Sequence, residues 1–98
     1  MQTSFENKVV IITGSSLGIG RATAEAFARE GAKVVVNYRS HPEQAEALVN
    51  QIQGSGGTAI AHQADVAQYE GVQGLVQRAV EEFGRLDIAV SNAAFSER

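Results

Sequence analysis

Apolar residues follow two alternating rhythms along this chain. Short β-rich runs at Val9–Ile12, Val34–Val36, Thr58–His62 and Leu86–Ser91 alternate with stretches where apolar positions recur every three or four residues. The runs read as buried strands and the longer stretches as helices. The pattern predicts a first strand over 8–13, then a helix over 18–29 with Ile19, Ala22, Thr23, Ala26 and Phe27 on its inner face. Gly31 stands where a helix end favours a left-handed residue. A second strand is expected over 33–37. The next helix starts at Ser40-His41-Pro42-Glu43, where Ser40 can cap the amide of Glu43 and proline suits a first turn. Ala45, Leu48, Val49 and Ile52 form its inner stripe, and Gly54-Ser55-Gly56-Gly57 ends it. A third strand over 58–62 leads to a helix over 68–83, with Val72, Leu75, Val76, Ala79, Val80 and Phe83 inward and Gly84 as its stop. Gly71 and Gly74 each weaken that helix by up to about 1 kcal/mol relative to alanine. A fourth strand is expected over 85–91.

Strand and helix therefore alternate as β-α-β-α-β-α-β, the mark of an α/β chain with right-handed crossovers. The expected architecture is a Rossmann-like half: a four-stranded parallel sheet in order 3-2-1-4, stopping before the later strands of a complete doubly wound sheet. Ligands of such sheets lie beyond the strand C-termini, at the switch between the first strand and the fourth. Gly14–Gly20 and Ser91–Ala94 both fall there.

Composition narrows the setting. The chain has 98 residues, 44% hydrophobic and 19% charged, which suits one small folded domain with little margin in its core. There is no cysteine, so no disulfide forms, and a reducing cytoplasm is the expected location. The N-terminal residues show neither a basic segment nor an apolar one, so a signal peptide is not expected, and no apolar run approaches a membrane span. A net charge of −3 with interspersed signs offers no basic stripe, so neither nucleic acid nor membrane is an expected partner.

Candidate chemistry gathers at the strand ends. Gly14 allows a sharp reversal after the first strand, while Gly18 and Gly20 keep the loop bare for a pyrophosphate at the positive end of the first helix. The spacing is Gly-x-x-x-Gly-x-Gly rather than the Gly-x-Gly-x-x-Gly of the standard dinucleotide fingerprint. At the end of the second strand an acid would hold the adenosine ribose and repel a 2′-phosphate. Asn37-Tyr38-Arg39-Ser40 has no acid there, and Arg39 can pair with a phosphate while Ser40 donates and Tyr38 offers a face to adenine. NADP is thus the preferred cofactor, with NAD possible. A solvated loop arginine is the plainer reading. Asp65 has two readings: an acceptor for the adenine amino group beside Val66, or the N-cap of the third helix. Ser91-Asn92-Ala93-Ala94 leaves room for a ribose, with Asn92 tying the strand end to backbone. Asp87 reads as a structural hydrogen-bonding group. His41 and His62 lack partners at ligand spacing, so no metal site is expected. The serines lack the neighbours of a nucleophile.

Thr13-Gly14-x-x-x-Gly18-x-Gly20, Asp65-Val66 and Asp87…Ser91-Asn92-Ala93-Ala94 together resemble the short-chain dehydrogenase/reductase family. The stretch 34–40 is similar to glucose 1-dehydrogenase and 3-oxoacyl-carrier-protein reductase members. The resemblance implies that Gly14, Ser15, Ser16, Gly18, Ile19 and Gly20 hold the pyrophosphate and adjacent ribose. It assigns Asn37, Tyr38, Arg39 and Ser40 to the 2′-phosphate end, Asp65 and Val66 to adenine, and Asn92, Ala93 and Ala94 to the inner ribose. Two departures stand out. Ser91 and Ala94 replace the usual outer residues of Asn-Asn-Ala-Gly, and no Tyr-x-x-x-Lys exists, since Tyr38 and Tyr69 precede Pro42 and Gln73 by four positions. That pair transfers the proton accompanying hydride in the family. No catalytic residue is therefore assigned.

The expectation is a single N-terminal cofactor-binding segment, residues 1–98, of an oxidoreductase acting on an alcohol/carbonyl pair, inactive alone without the catalytic half. Its alternatives are a non-catalytic nucleotide-binding or interaction module, and a non-functional remnant. A long apolar fourth strand at the sheet edge is expected to promote self-association or to recruit a complementary polypeptide.

Overall fold

The computed structural model describes residues 5–15 and 18–92. Its elements are β1 (Val9–Ile12), α1 (Gly18–Arg29), β2 (Lys33–Tyr38), α2 (Pro42–Gly54), β3 (Thr58–Gln63), α3 (Tyr69–Phe83) and β4 (Ile88–Val90). All strand pairs are parallel, and the sheet order is β3-β2-β1-β4, as the alternating pattern predicts.

β1 and the centre of β2 are buried on both faces, which is why their sequences are continuous apolar runs rather than alternating ones. One face carries Val10, Ile12, Val34, Val36 and Ala59 against α1 and α2, with Ala24, Ala45, Leu48 and Ile52 completing the core. The other carries Val9, Ile11 and Val35 against Leu75 and Ala79 of α3.

Four local expectations are corrected. The inner face of α1 is Gly20 and Ala24, with Phe27 and Ala28 half-buried, while Ile19, Ala22 and Ala26 are exposed. Ser40 does not cap α2: His41 is the N-cap, without a side-chain hydrogen bond, and Pro42 opens the first turn. Asp65 does not cap α3, whose N-cap is Gln68. Val72, Val76 and Val80 are 42%, 37% and 45% exposed rather than inward.

β4 is also shorter than its apolar run. Asp87 accepts from the Val9 amide through its carboxylate (2.9 Å), returns its own amide to the Val9 carbonyl (3.0 Å), and binds Arg85 at 2.7 Å. These bonds start the β1–β4 pairing, so the ladder proper begins only at Ile88. Asp87 is structural, as its place in the run implied. No helix of the described residues is long and apolar enough to cross a membrane.

Candidate functional site

The C-termini of β1, β2 and β3 bring the glycine loop, residues 37–40 and residues 64–66 to one end of the sheet. Gly14 and Gly18 have φ of 60° and 62°, left-handed values that glycine adopts without strain. A Cβ at Gly20 would lie 2.5 Å from both the Gly14 carbonyl oxygen and Asn92 Nδ2. Only glycine lets α1 sit this close to the strand end, and the first-turn amides of a helix have no acceptor within it. Gly18, Ile19 and Gly20 therefore form the positive end of α1 beside the loop.

Asn92 and Thr13 fasten β4 to the loop. The Asn92 amide donates to Thr13 Oγ1 at 2.8 Å, and Asn92 Nδ2 donates to the Gly14 carbonyl at 3.2 Å. The expectation that the Asn92 side chain ties the strand end to neighbouring backbone is met in the second of these bonds.

Ser15 and Asn37 lie behind the loop. Ser15 is fully buried and Asn37 is 2% exposed. The Ser15 amide donates to the Asn37 carbonyl at 3.0 Å, and the Asn37 amide donates to Ser15 Oγ at 3.1 Å. Asn37 Oδ1 accepts from the Gly14 amide at 2.9 Å, so the first two amides of the loop are used internally.

Arg39 lies on the outside, its side chain 76% exposed and its Nε 3.9 Å from Asp65 Oδ2. A pair this exposed contributes little to stability, so Arg39 is free to turn to another anion. Asp65 Oδ1 accepts from the Ala67 amide at 3.0 Å, and its carbonyl accepts from Gln68. It thus shapes the turn into α3 while standing upstream of the cap. Tyr38 is half-buried and its carbonyl accepts from the Ala64 amide at 2.9 Å. Ser40 is exposed beside Arg39, and Val66 is half-buried against the α3 core. Ser16, Ala93 and Ala94, also assigned to the cofactor, lie outside the described residues.

Two residues that support the site carry no sequence signal. Gln63 Nε2 donates to the Arg39 carbonyl at 3.0 Å, holding the β2 loop from β3. Gly71 approaches the Asp65 backbone so closely that a Cβ would collide with the Asp65 carbonyl oxygen. Glutamines at strand ends and helical glycines are too common for either to stand out. Among the described residues, no group of three or more His, Cys, Asp or Glu side chains could hold a metal ion.

The sequence pattern of short chain dehydrogenases matches residues 8–98. Glucose 1-dehydrogenase 2 of Bacillus subtilis is 45% identical over 96 residues, covering 98% of this chain and 37% of that protein. The 3-oxoacyl-[acyl-carrier-protein] reductase of Synechocystis is 44% identical over 94 residues, covering 96% of this chain and 38% of that one. A short chain dehydrogenase crystal structure from Mycobacterium avium superposes with a TM-score of 0.88 at 44% identity, covering 94% of this chain and 36% of that one. The chain spans less than two fifths of the length of these relatives.

Proposed function

The chain belongs to the short-chain dehydrogenase family, and from that premise we propose that it forms the family's cofactor-binding segment, with NADP(H) preferred and NAD(H) accepted. The observation that carries this reading is one arrangement. The bare glycine loop and the α1 N-terminus face the same sheet end as an exposed arginine, where no acid stands between Asn37 and Ser40. The positive end of α1 suits a pyrophosphate, and Arg39 suits a 2′-phosphate. Asp65 and Val66 border the space for adenine. Asp65 holds Arg39 only loosely, and a doubly charged phosphate competes well for that guanidinium.

When bound, the cofactor supplies or accepts the hydride of an alcohol/carbonyl interconversion. This chain's residues bind and orient it: α1 amides at the pyrophosphate, Arg39 and Ser40 at the 2′-phosphate, and Asn92 at the inner end. The accompanying proton requires a group outside these 98 residues, because no Tyr-x-x-x-Lys occurs among them. The proposed activity of the chain on its own is cofactor binding without turnover. The proposed location is the cytoplasm, in keeping with a chain that has no cysteine.

Calorimetric titration tests this reading. NADP+ should bind more tightly than NAD+, and Arg39→Ala should weaken NADP+ by about tenfold while leaving NAD+ nearly unchanged. Absence of heat and of any thermal shift at millimolar concentrations of both cofactors would overturn it.

A specific feature also supports association with a complementary polypeptide or a second copy along β4. α3 turns Gly74 and Arg78 toward β3, Gly74 facing His62 and Arg78 bordering Ile60 and Ala61. Its opposite flank, Val72, Val76 and Val80, consequently looks toward β4, where Ala89 beside Ile11 is exposed. A helix followed by a strand would cover that flank and pair with the β4 edge. Sedimentation velocity should show concentration-dependent association that Val76→Lys suppresses; a monomer at all concentrations argues against self-association.

A further inference from the structure

The buried amide of Asn37 connects two regions that the cofactor reading assigns to opposite ends of one ligand. Its Oδ1 accepts from Gly14 of the glycine loop at 2.9 Å. Its Nδ2 points the other way, donating to the carbonyls of Ala64 (3.2 Å), His62 (3.4 Å) and Tyr38 (3.4 Å). The backbone of the same residue exchanges two hydrogen bonds with Ser15. One side chain thus spans the end of β2, gripping the loop after β1 and the segment leaving β3.

The fit is chemical as well as steric. An amide offers an acceptor at one tip and two donors at the other, matching one backbone N–H on one side and a fan of carbonyls on the other. Aspartate has the same shape, but its second oxygen would face the Ala64 and His62 carbonyls and bury a charge among acceptors. Leucine would leave the Gly14 amide and the carbonyls without a partner. At 2% exposure, and with both tips committed, Asn37 has no polar group left for a ligand.

We propose that Asn37 is a positioning residue that sets the separation between the pyrophosphate loop and the adenosine end, so that both ends of a dinucleotide are engaged together. This inference rests on the cofactor reading above. The side chain acts through Gly14 on the loop leading into α1, and through Ala64 on the Asp65-Val66 segment. A ligand that occupies only the adenosine end does not need that separation; NADP+ does.

The test compares two ligands in three proteins: the wild-type chain, Asn37→Asp and Asn37→Ala. Affinities for NADP+ and for adenosine 2′-monophosphate are measured by calorimetry, at a temperature where circular dichroism shows each protein folded. The Asp variant keeps the Gly14 contact and repels the Ala64 and His62 carbonyls. It should bind NADP+ about tenfold or more weakly, the scale of one buried group left unpaired. Adenosine 2′-monophosphate affinity should fall by a clearly smaller factor, because a ligand of the adenosine end alone can follow the displaced segment. The Ala variant, where water can replace the amide, should shift in the same direction by a smaller factor. If the Asp variant does not fold, the Ala variant decides. A parallel loss of both ligands would mean that Asn37 only stabilises the fold, and unchanged NADP+ affinity would mean that it positions nothing; either overturns the proposal. A wild-type chain that binds neither ligand would instead overturn the cofactor reading itself.

Discussion

The two faces of the sheet are built to different degrees. Among the described residues, the face under α1 and α2 encloses ten buried apolar residues and the face under α3 encloses five. Two helices side by side shield the first. On the second, α3 stands toward β3 and leaves three valines and Ala89 in contact with water. The glycine-loop end is tied by buried hydrogen bonds of Ser15 and Asn37 between strand ends, and β4 joins it through Asn92 and Thr13. A binding loop needs a closed core behind it, and the open flank offers room for another element.

Core truncation breaks or sharpens that contrast most strongly. Leu48 on the closed face is fully buried, and Leu75 on the open face is 2% exposed. Exposure alone would rank them equal. Around Leu48 the neighbours are themselves buried, so Leu48→Ala leaves a cavity that cannot close, with an expected loss of about 3–5 kcal/mol. Around Leu75 the flanking valines are free to settle inward, and Leu75→Ala should lose about 2–3 kcal/mol. Urea unfolding followed by circular dichroism measures both. Equal losses would show that the two faces are equally closed.

Glycine replacements come next and probe the site end. Gly20→Ala would drive a Cβ into Gly14, Ser15 and Asn92, so α1 must lift from the strand end. NADP+ affinity should fall by about tenfold or more, about 1.4 kcal/mol for each decade. The thermal midpoint should drop because the clash with the Gly14 and Ser15 backbone strains the folded state. An alanine variant that binds like wild type would mean that the close approach of α1 is not what forms the site.

How far the sequence reached is clearest in those same glycines. Element order, strand order and the site segments were legible because β-branched runs and helical periods are strong signals, and because parallel crossovers leave few topologies. The rotation of α1 was not. Ala22, Ala24 and Ala26 support more than one inner face, and the choice is made by Gly20, whose contact with the strand end turns Ala24 inward. Periodicity likewise finds the apolar stripe Val72, Val76 and Val80, but it cannot say whether anything lies opposite. The Ser40 cap failed because proline as the first helical residue passes the capping position to His41. Of the candidate site, the gathering of the loop, Arg39, Asp65 and Asn92 at one sheet end was legible from residue type and place; the inward turn of Asn37 and Ser15 depends on how β1, β2 and β3 meet.

Within α3, two glycines that look alike in sequence should behave oppositely. A Cβ at Gly74 would have His62 Nε2 as its nearest neighbour, 3.9 Å away, so Gly74→Ala should stabilise the chain by about 0.5–1 kcal/mol through helix propensity alone. Gly71→Ala meets the Asp65 carbonyl and should destabilise it. Thermal denaturation of the two variants separates them by sign. Stabilisation by both would mean that the turn after β3 yields easily, and that the α3 side is loose even where it meets the site.

The smallest expected effect uses pH to address the β3 and β4 sides of the open face separately. Desolvation, aided by the neighbouring positive charge of Arg78, lowers the pKa of His62 on the α3 side. The folded chain therefore resists protonating it, while the unfolded chain titrates near the ordinary value of about 6.5. Below that value the unfolded state holds more protons, so stability falls as pH drops from about 7 toward 5. Asp87 has a lowered pKa for another reason: hydrogen bonds from Arg85 and from the Val9 amide favour its charged form. Its contribution is present above the ordinary carboxylate value of about 3.9 and is lost as pH falls below it. His62→Gln should flatten the thermal midpoint between pH 7 and 5 and leave the acid limb intact. Asp87→Asn should flatten only the acid limb, where it loosens the start of the β1–β4 pairing. If both variants changed the same limb, the β3 and β4 sides of the open face would be unfolding through one shared proton-linked step, and that face would be as tightly coupled as the closed one.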